Sequence, residues 1–170
     1  MPSSRRLITS TTLSSSAASV TFSSIPSGYK DLVLRVSARS DSASNAEQFN
    51  IVLNGDSSSL YSYTFISGSG SAAASGSGVN TTPGANGYVG AANLTASTFT
   101  SIETYIPSYN ASQSKPYSAF SAAENNATYG LIRGYAGLYR SNTAISSILL
   151  SATGNFVSGS SFYLYGLLDS

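Results

Sequence analysis

The chain has no cysteine, no histidine and no tryptophan, and charged residues make up only 9% of its 170 positions. Without cysteine there is neither a disulfide framework nor a thiolate metal site. Without histidine the commonest general base and metal ligand is gone, and a nucleophile would have to be Ser, Thr, Lys or a carboxylate. The formal net charge of +1 comes with no clustered basic stripe of the kind that draws nucleic acid or anionic lipid. No apolar run reaches the roughly eighteen residues a membrane-spanning helix needs, and "MPSSRRLITS" lacks a signal-peptide core behind its two arginines. The expectation is a soluble protein hydrated by hydroxyls, without nucleic-acid or membrane partners.

What is present is alternation. Asp31 to Arg39 sets Leu32, Leu34, Val36 and Ala38 against Val33, Arg35, Ser37 and Arg39, the period-two pattern of a half-buried strand. Phe49, Ile51 and Leu53 alternate with polar neighbours up to the turn Asn54-Gly55-Asp56, where glycine readily supplies positive φ. Tyr61, Tyr63 and Phe65 alternate with Ser62 and Thr64, residue types that fit a pleated surface. Similar runs begin near Arg6, Ser19, Tyr88, Phe99, Pro116, Tyr129, Ala144 and Ser161, and no segment carries a capped helical stripe, although "SAAAS" and "SAAENNA" have room for a short helical turn. Short strands separated by Ser, Gly and Asn clusters predict an all-β fold: an antiparallel, jelly-roll-like β-sandwich of about eight to eleven strands with little or no helix. We take 1–170 as a single domain. Its 67–87 segment, "SGSGSAAASGSGVNTTPGANG", reads as a flexible Gly/Ser/Ala-rich loop or arm.

Chemistry is thinly supplied. The seven carboxylates, Asp31, Asp41, Glu47, Asp56, Glu103, Glu124 and Asp169, are scattered, and a glycosidase would need two of them brought together by the fold. "DSASNAE" offers oxygens at Asp41, Asn45 and Glu47 but lacks the glycine and terminal carboxylate of a calcium loop. "GSGSG" is followed by no Lys-Ser or Lys-Thr and is not a phosphate loop. The expectation is no enzyme, with no catalytic, cofactor-binding or metal-binding residues. Tyrosine is the abundant aromatic, twelve against seven Phe, and its apolar face with a polar tip suits protein interfaces or carbohydrate stacking. Candidate interface residues are Arg5 and Arg6 near the N-terminus, Arg35 and Arg39 on the face of their strand opposite Leu32 and Leu34, and Tyr163 and Tyr165 in the last strand.

"LITSTTLSSSAASVTFSSIPSGYKDLVLRVSARSD", "FNIVLNGD", "IETYIPSYNASQSKPYSAF" and "SSFYLYGLLDS" together resemble small tailed-phage virion structural proteins over nearly the whole chain. The resemblance implies a β-sandwich carried on the particle, either a capsid decoration (cement) protein or a tail component, and supplies no functional residues of its own. With no coiled coil or repetitive shaft in view, the capsid surface is the preferred location. The expected partners are the major capsid protein and a homodimer or homotrimer of the chain itself. A tail-fibre or tail-tip module binding host glycan is the alternative.

Overall fold

A computed structural model describes residues 5–126 and 129–168. Twelve strands form two antiparallel sheets, and the described residues contain no helix. The strands are β1 Arg5–Thr12, β2 Ala17–Phe22, β3 Asp31–Ala38, β4 Ala46–Leu53, β5 Tyr61–Gly68, β6 Ala73–Thr81, β7 Gly84–Gly90, β8 Thr100–Ile106, β9 Lys115–Glu124, β10 Gly130–Tyr139, β11 Ile148–Phe156 and β12 Ser161–Leu167. One sheet runs β1-β12-β3-β8-β9-β10-β5-β6 and the other β2-β11-β4-β7.

The orders β1-β12-β3-β8 and β2-β11-β4-β7 are the two interleaved sheets of a jelly roll. Two hairpins are inserted into it. β5–β6 falls between β4 and β7 and β9–β10 between β8 and β11; β9–β10 pairs onto β8 and β5–β6 onto β10, extending one sheet from four strands to eight. The sandwich expected from the sequence is therefore present, with one strand more than the upper end of the expected range.

The core follows the alternation. Leu32, Leu34 and Val36 of β3, Phe49, Ile51 and Leu53 of β4, and Phe162 and Leu164 of β12 are all buried; sequestering each such side chain contributes about 2 kcal/mol. Phe156 packs on Phe162 edge-on at 5.1 Å and on Phe49 at 6.0 Å, joining the sheets. The Asn54-Gly55 turn occurs as expected, with positive φ at both residues and the Asp56 amide closing on the Leu53 carbonyl at 3.0 Å.

The 67–87 segment departs from its expectation. It carries all of β6 and the first half of β7, not a loop. Gly and Ala are poor strand formers in isolation, but tertiary packing overrides that preference here. A Cβ on Gly84 would lie 2.7 Å from the Tyr61 ring and one on Gly76 2.8 Å from the Phe65 ring. The glycines are the recesses in which β5 aromatics lie. Neither "SAAAS" nor the described part of "SAAENNA" forms a helical turn, since they belong to β6 and β9.

Beyond β7 the smaller sheet ends, and where β7 does not reach over β5 and β10 its place is taken by side chains. The Arg133 guanidinium sits 4.0 Å from the ring centroids of both Phe65 and Tyr88, and Nη1 donates to the Tyr135 hydroxyl at 3.0 Å. This cation–π stack covers the inner face of the inserted hairpins.

Candidate functional site: the outer face of the eight-stranded sheet

The smaller sheet covers only one side of the larger one. Strand register carries a continuous row of outward side chains from Tyr163 through Arg35 and Glu103 to Phe120, Gly134 and Ile66. The row changes chemistry along its length. Over the jelly-roll strands it is polar: Arg35 Nε donates to Glu103 Oε2 at 3.0 Å, with Arg5 Nη1 4.0 Å from the same oxygen. The Arg5 guanidinium also stands 5.8 Å from the Tyr165 ring centroid. Arg35, Glu103, Tyr163 and Tyr165, with Ser37 and Ser101, line a shallow depression of about 300 Å³. Exposed ion pairs of this kind contribute at most about 1 kcal/mol.

Over the inserted hairpins the face is apolar. Ile66 is 70% exposed, Phe120 52% and Ile132 54%, and they wall a groove of about 580 Å³ floored by Gly68, Ala73 and Gly134. Every residue of the groove lies on β5, β6, β9 or β10. Large exposed side chains clustered in this way on a monomer surface mark an interaction site, whereas single exposed ones do not.

The structure brings Arg5, Arg35, Tyr163 and Tyr165 together on this face. Two candidates do not join them. Arg6 pairs in register with Gly166, which places it on the opposite phase of β1, exposed at the sandwich rim. Arg39 is buried, 9% exposed, and the expectation that it shares the outward face with Arg35 fails. The strand ends at Ala38, and the next residue forms an isolated parallel bridge to Gly90. The Arg39 guanidinium turns into the 92–98 loop, donating to the carbonyls of Ala92, Leu94, Thr95 and Thr98 at 2.8–3.2 Å. It is an internal brace.

Sequence reasoning missed the groove, although a signal was there. Phe120, Ile66 and Ile132 each fall on the phase of their strand opposite the buried residues: Tyr117, Ala119 and Ser121 in β9, Tyr61 in β5, and Tyr135 and Tyr139 in β10. A large apolar residue in the solvent phase of an alternating strand is the mark of a second buried surface.

The described carboxylates are engaged locally. Asp41 accepts from the Asn155 amide at 2.7 Å, Glu47 from the Ser44 hydroxyl at 2.7 Å, Asp56 from the Ser58 hydroxyl and, at 2.9 Å, from the Ser58 amide, and Glu124 from the Asn126 amide at 2.8 Å. These hydrogen bonds hold Asp41, Glu47 and Asp56 below the usual carboxylate range. Asp31 accepts from the Tyr105 hydroxyl at 2.7 Å and the Ser108 amide at 2.8 Å, and its hydrogen bond raises the Tyr105 phenol above its ordinary value. Asp169 lies outside the described residues. Among the described residues no three metal-ligating side chains cluster, and Asp41 and Glu47 of the "DSASNAE" stretch spend their oxygens on Asn155, Ser42 and Ser44. No protein-family model matches the chain, and no curated protein matches it in sequence.

Proposed function

We propose that this is a non-enzymatic structural protein of a phage virion, a decoration (cement) protein that docks on the major capsid lattice through the outer face of its eight-stranded sheet. The observation that carries the reading is the groove of Ile66, Phe120 and Ile132, exposed on a sheet face that nothing in the described chain covers. The resemblance of the sequence to small tailed-phage virion proteins supplies the setting. Burial of the groove supplies the driving force, the Arg35–Glu103–Arg5 row fixes orientation, and repetition over a lattice multiplies a modest affinity.

The test is binding of the purified protein to undecorated heads assembled from the capsid protein of the same phage. Phe120→Ser combined with Ile132→Ser removes side chains that the isolated fold leaves about half in water, so the melting temperature falls by only a few degrees (~2–6 °C) while head binding falls by about a hundredfold. Binding unchanged in that variant, or electron-microscopic density placing the protein away from the head, overturns the reading.

A second reading, a tail-tip module for host glycan, draws on a different observation. Tyr163 and Tyr165 flank the polar depression with Arg35, Glu103 and two serines, an aromatic and polar combination that suits a sugar ring. Adhesion of the isolated protein to host cells, lost on Tyr163→Ala and unaffected by the groove variant, selects this reading instead.

A further inference from the structure

Among the described residues the sandwich has four sheet edges, and one of them is open. β7 is closed by side chains of the opposing sheet: its Tyr88 and Gly90 amides donate to Ser121 Oγ at 3.2 Å and Thr100 Oγ1 at 2.7 Å, and its Ala85 carbonyl accepts from the Tyr117 hydroxyl at 2.9 Å. β2 pairs with β11 in register only as far as Ser19, where the ladder breaks. β1 carries Arg5 and Arg6 and a register shift between Leu7 and Thr9. Charges, bulges and short length are the devices that keep an edge from pairing with another chain. β6 has none of them over Ala73 to Gly78. It is in unbroken register with β5 there, it contains no proline, and the chain carries no charged residue anywhere between Asp56 and Glu103.

The Ser69 amide donates to the Ala72 carbonyl at 3.0 Å, so Ser69 and Ala72 face each other as a hydrogen-bonded pair. Antiparallel pairs alternate, and along the recorded register the hydrogen-bonded partners of β5 are then Ala74, Gly76 and Gly78. Ala73, Ser75 and Ser77 turn their N–H and C=O groups away from β5. Among the described residues no strand lies on that side.

We propose that β6 pairs antiparallel with β6 of a second copy of this chain, about a two-fold axis at Ser75, joining two eight-stranded sheets into one. Ser75 faces Ser75 of the second copy, and Ala73 faces Ser77 in both directions, giving about six backbone hydrogen bonds. A second copy is the occupant this edge fits. In a two-fold pair a charge on the segment would be brought near its own copy across the axis, and this edge has no charge to repel. The inner side of the seam is flat because Gly76 and Gly78 lie under the rings of Phe65 and Tyr63. On the outer side the two apolar grooves become neighbours across a floor of Ala73, Ser75 and Ser77. The pairing is independent of what the outer face binds.

A chain without cysteine allows a direct test. Facing Cα atoms in such a pair stand about 5.5 Å apart, within disulfide range. Ser75→Cys is therefore expected to cross-link to a dimer under mild oxidation at least about tenfold faster than Val79→Cys, which is likewise exposed but far from the axis. Mixed Ala73→Cys and Ser77→Cys proteins are expected to form the heterodimer in preference to either homodimer. In sedimentation velocity the wild type is expected to shift from monomer to dimer by about 100 µM, and Ser75→Lys, whose circular dichroism should match the wild type, to weaken that dimer by about tenfold or more. A wild type still monomeric at that concentration, equal cross-linking rates for the Ser75 and Val79 variants, or open-ended filaments in place of dimers would each overturn the proposal.

Discussion

Arg35 and Arg39 lie four residues apart in one alternating stretch, yet the structure assigns them opposite energetic roles, and the difference can be measured. The Arg39 guanidinium is buried and donates to four carbonyls of the 92–98 loop as well as to Thr98 Oγ1 at 3.2 Å. Arg39→Met keeps the aliphatic stem and removes every one of those donors. Charged hydrogen bonds contribute about 1.5–3 kcal/mol singly, but bonds sharing one group do not add, and water reaches the more open carbonyls. The Leu94 carbonyl, on the buried side of the set, loses its donor with no replacement. The expected loss is about 3 kcal/mol, which for a chain of this size lowers the melting temperature by about 10 °C and the urea midpoint by about 1.5 M. Amide hydrogen exchange within 92–98 should rise with it. Arg39→Lys should recover only part, because an ammonium cannot span the carbonyls as a planar fork does. Arg35→Met removes a half-exposed ion pair and should change stability by no more than about 1 kcal/mol. An Arg39→Met protein within about 1 kcal/mol of the wild type in urea unfolding, or an Arg35→Met protein losing as much as Arg39→Met, would overturn the assignment of Arg39 as an internal brace.

Other consequences are as concrete. A methyl group on Gly137 would lie 2.0 Å from the ring of Tyr117, which is buried and hydrogen-bonded to the Ala85 carbonyl at 2.9 Å; Gly137→Ala should cost about 3 kcal/mol in urea unfolding. Gly130→Ala, which meets nothing within 4 Å, should be neutral, and equal effects would refute the packing. Asp41, Glu47 and Asp56 have carboxyls lowered in the folded state from ordinary values of 3.8, 4.5 and 3.8. Their contribution is complete above those ordinary values and is lost as pH falls through the lowered ones, so stability should decline from about pH 5 downward. Glu47→Gln should make that decline shallower, and a profile flat to about pH 3 would contradict the assignment.

Fold class was legible because the core alternates: β3, β4 and β12 each place their buried apolar residues on one phase, Val33 being the exception, and no capped helical stripe competes. β6 and the start of β7 were illegible for a physical reason. Their strand character comes from the rings of Phe65, Tyr63 and Tyr61 lying over Gly76, Gly78 and Gly84, contacts made across strands and invisible to a local pattern. Arg39 misled because period two holds only while the strand continues, and the chain leaves the ladder at that residue. The apolar groove was half legible. Each of its large residues breaks the phase of its own strand, but only the register of β5, β9 and β10 shows that the three irregularities meet.

The two inserted hairpins concentrate what is unusual about this jelly roll. They carry the groove and the open β6 edge, and their inner face is completed by the Arg133 stack where the smaller sheet does not reach. The main hydrophobic cluster is drawn chiefly from the eight jelly-roll strands, with Tyr61, Tyr117 and Tyr139 the contributions of the insertions. The second cluster, centred on Ala85, Ala119 and Tyr135 with Tyr63 and Phe65 against it, belongs largely to the insertions. A division of this kind lets association and folding respond to different residues. Changes at Ile66, Phe120, Ile132 and Ser75 touch side chains that the isolated chain leaves at least partly in water, so they should alter what the protein joins while leaving its melting temperature within a few degrees of that of the wild type. Changes at Gly137, Tyr117 or Arg39 should do the reverse.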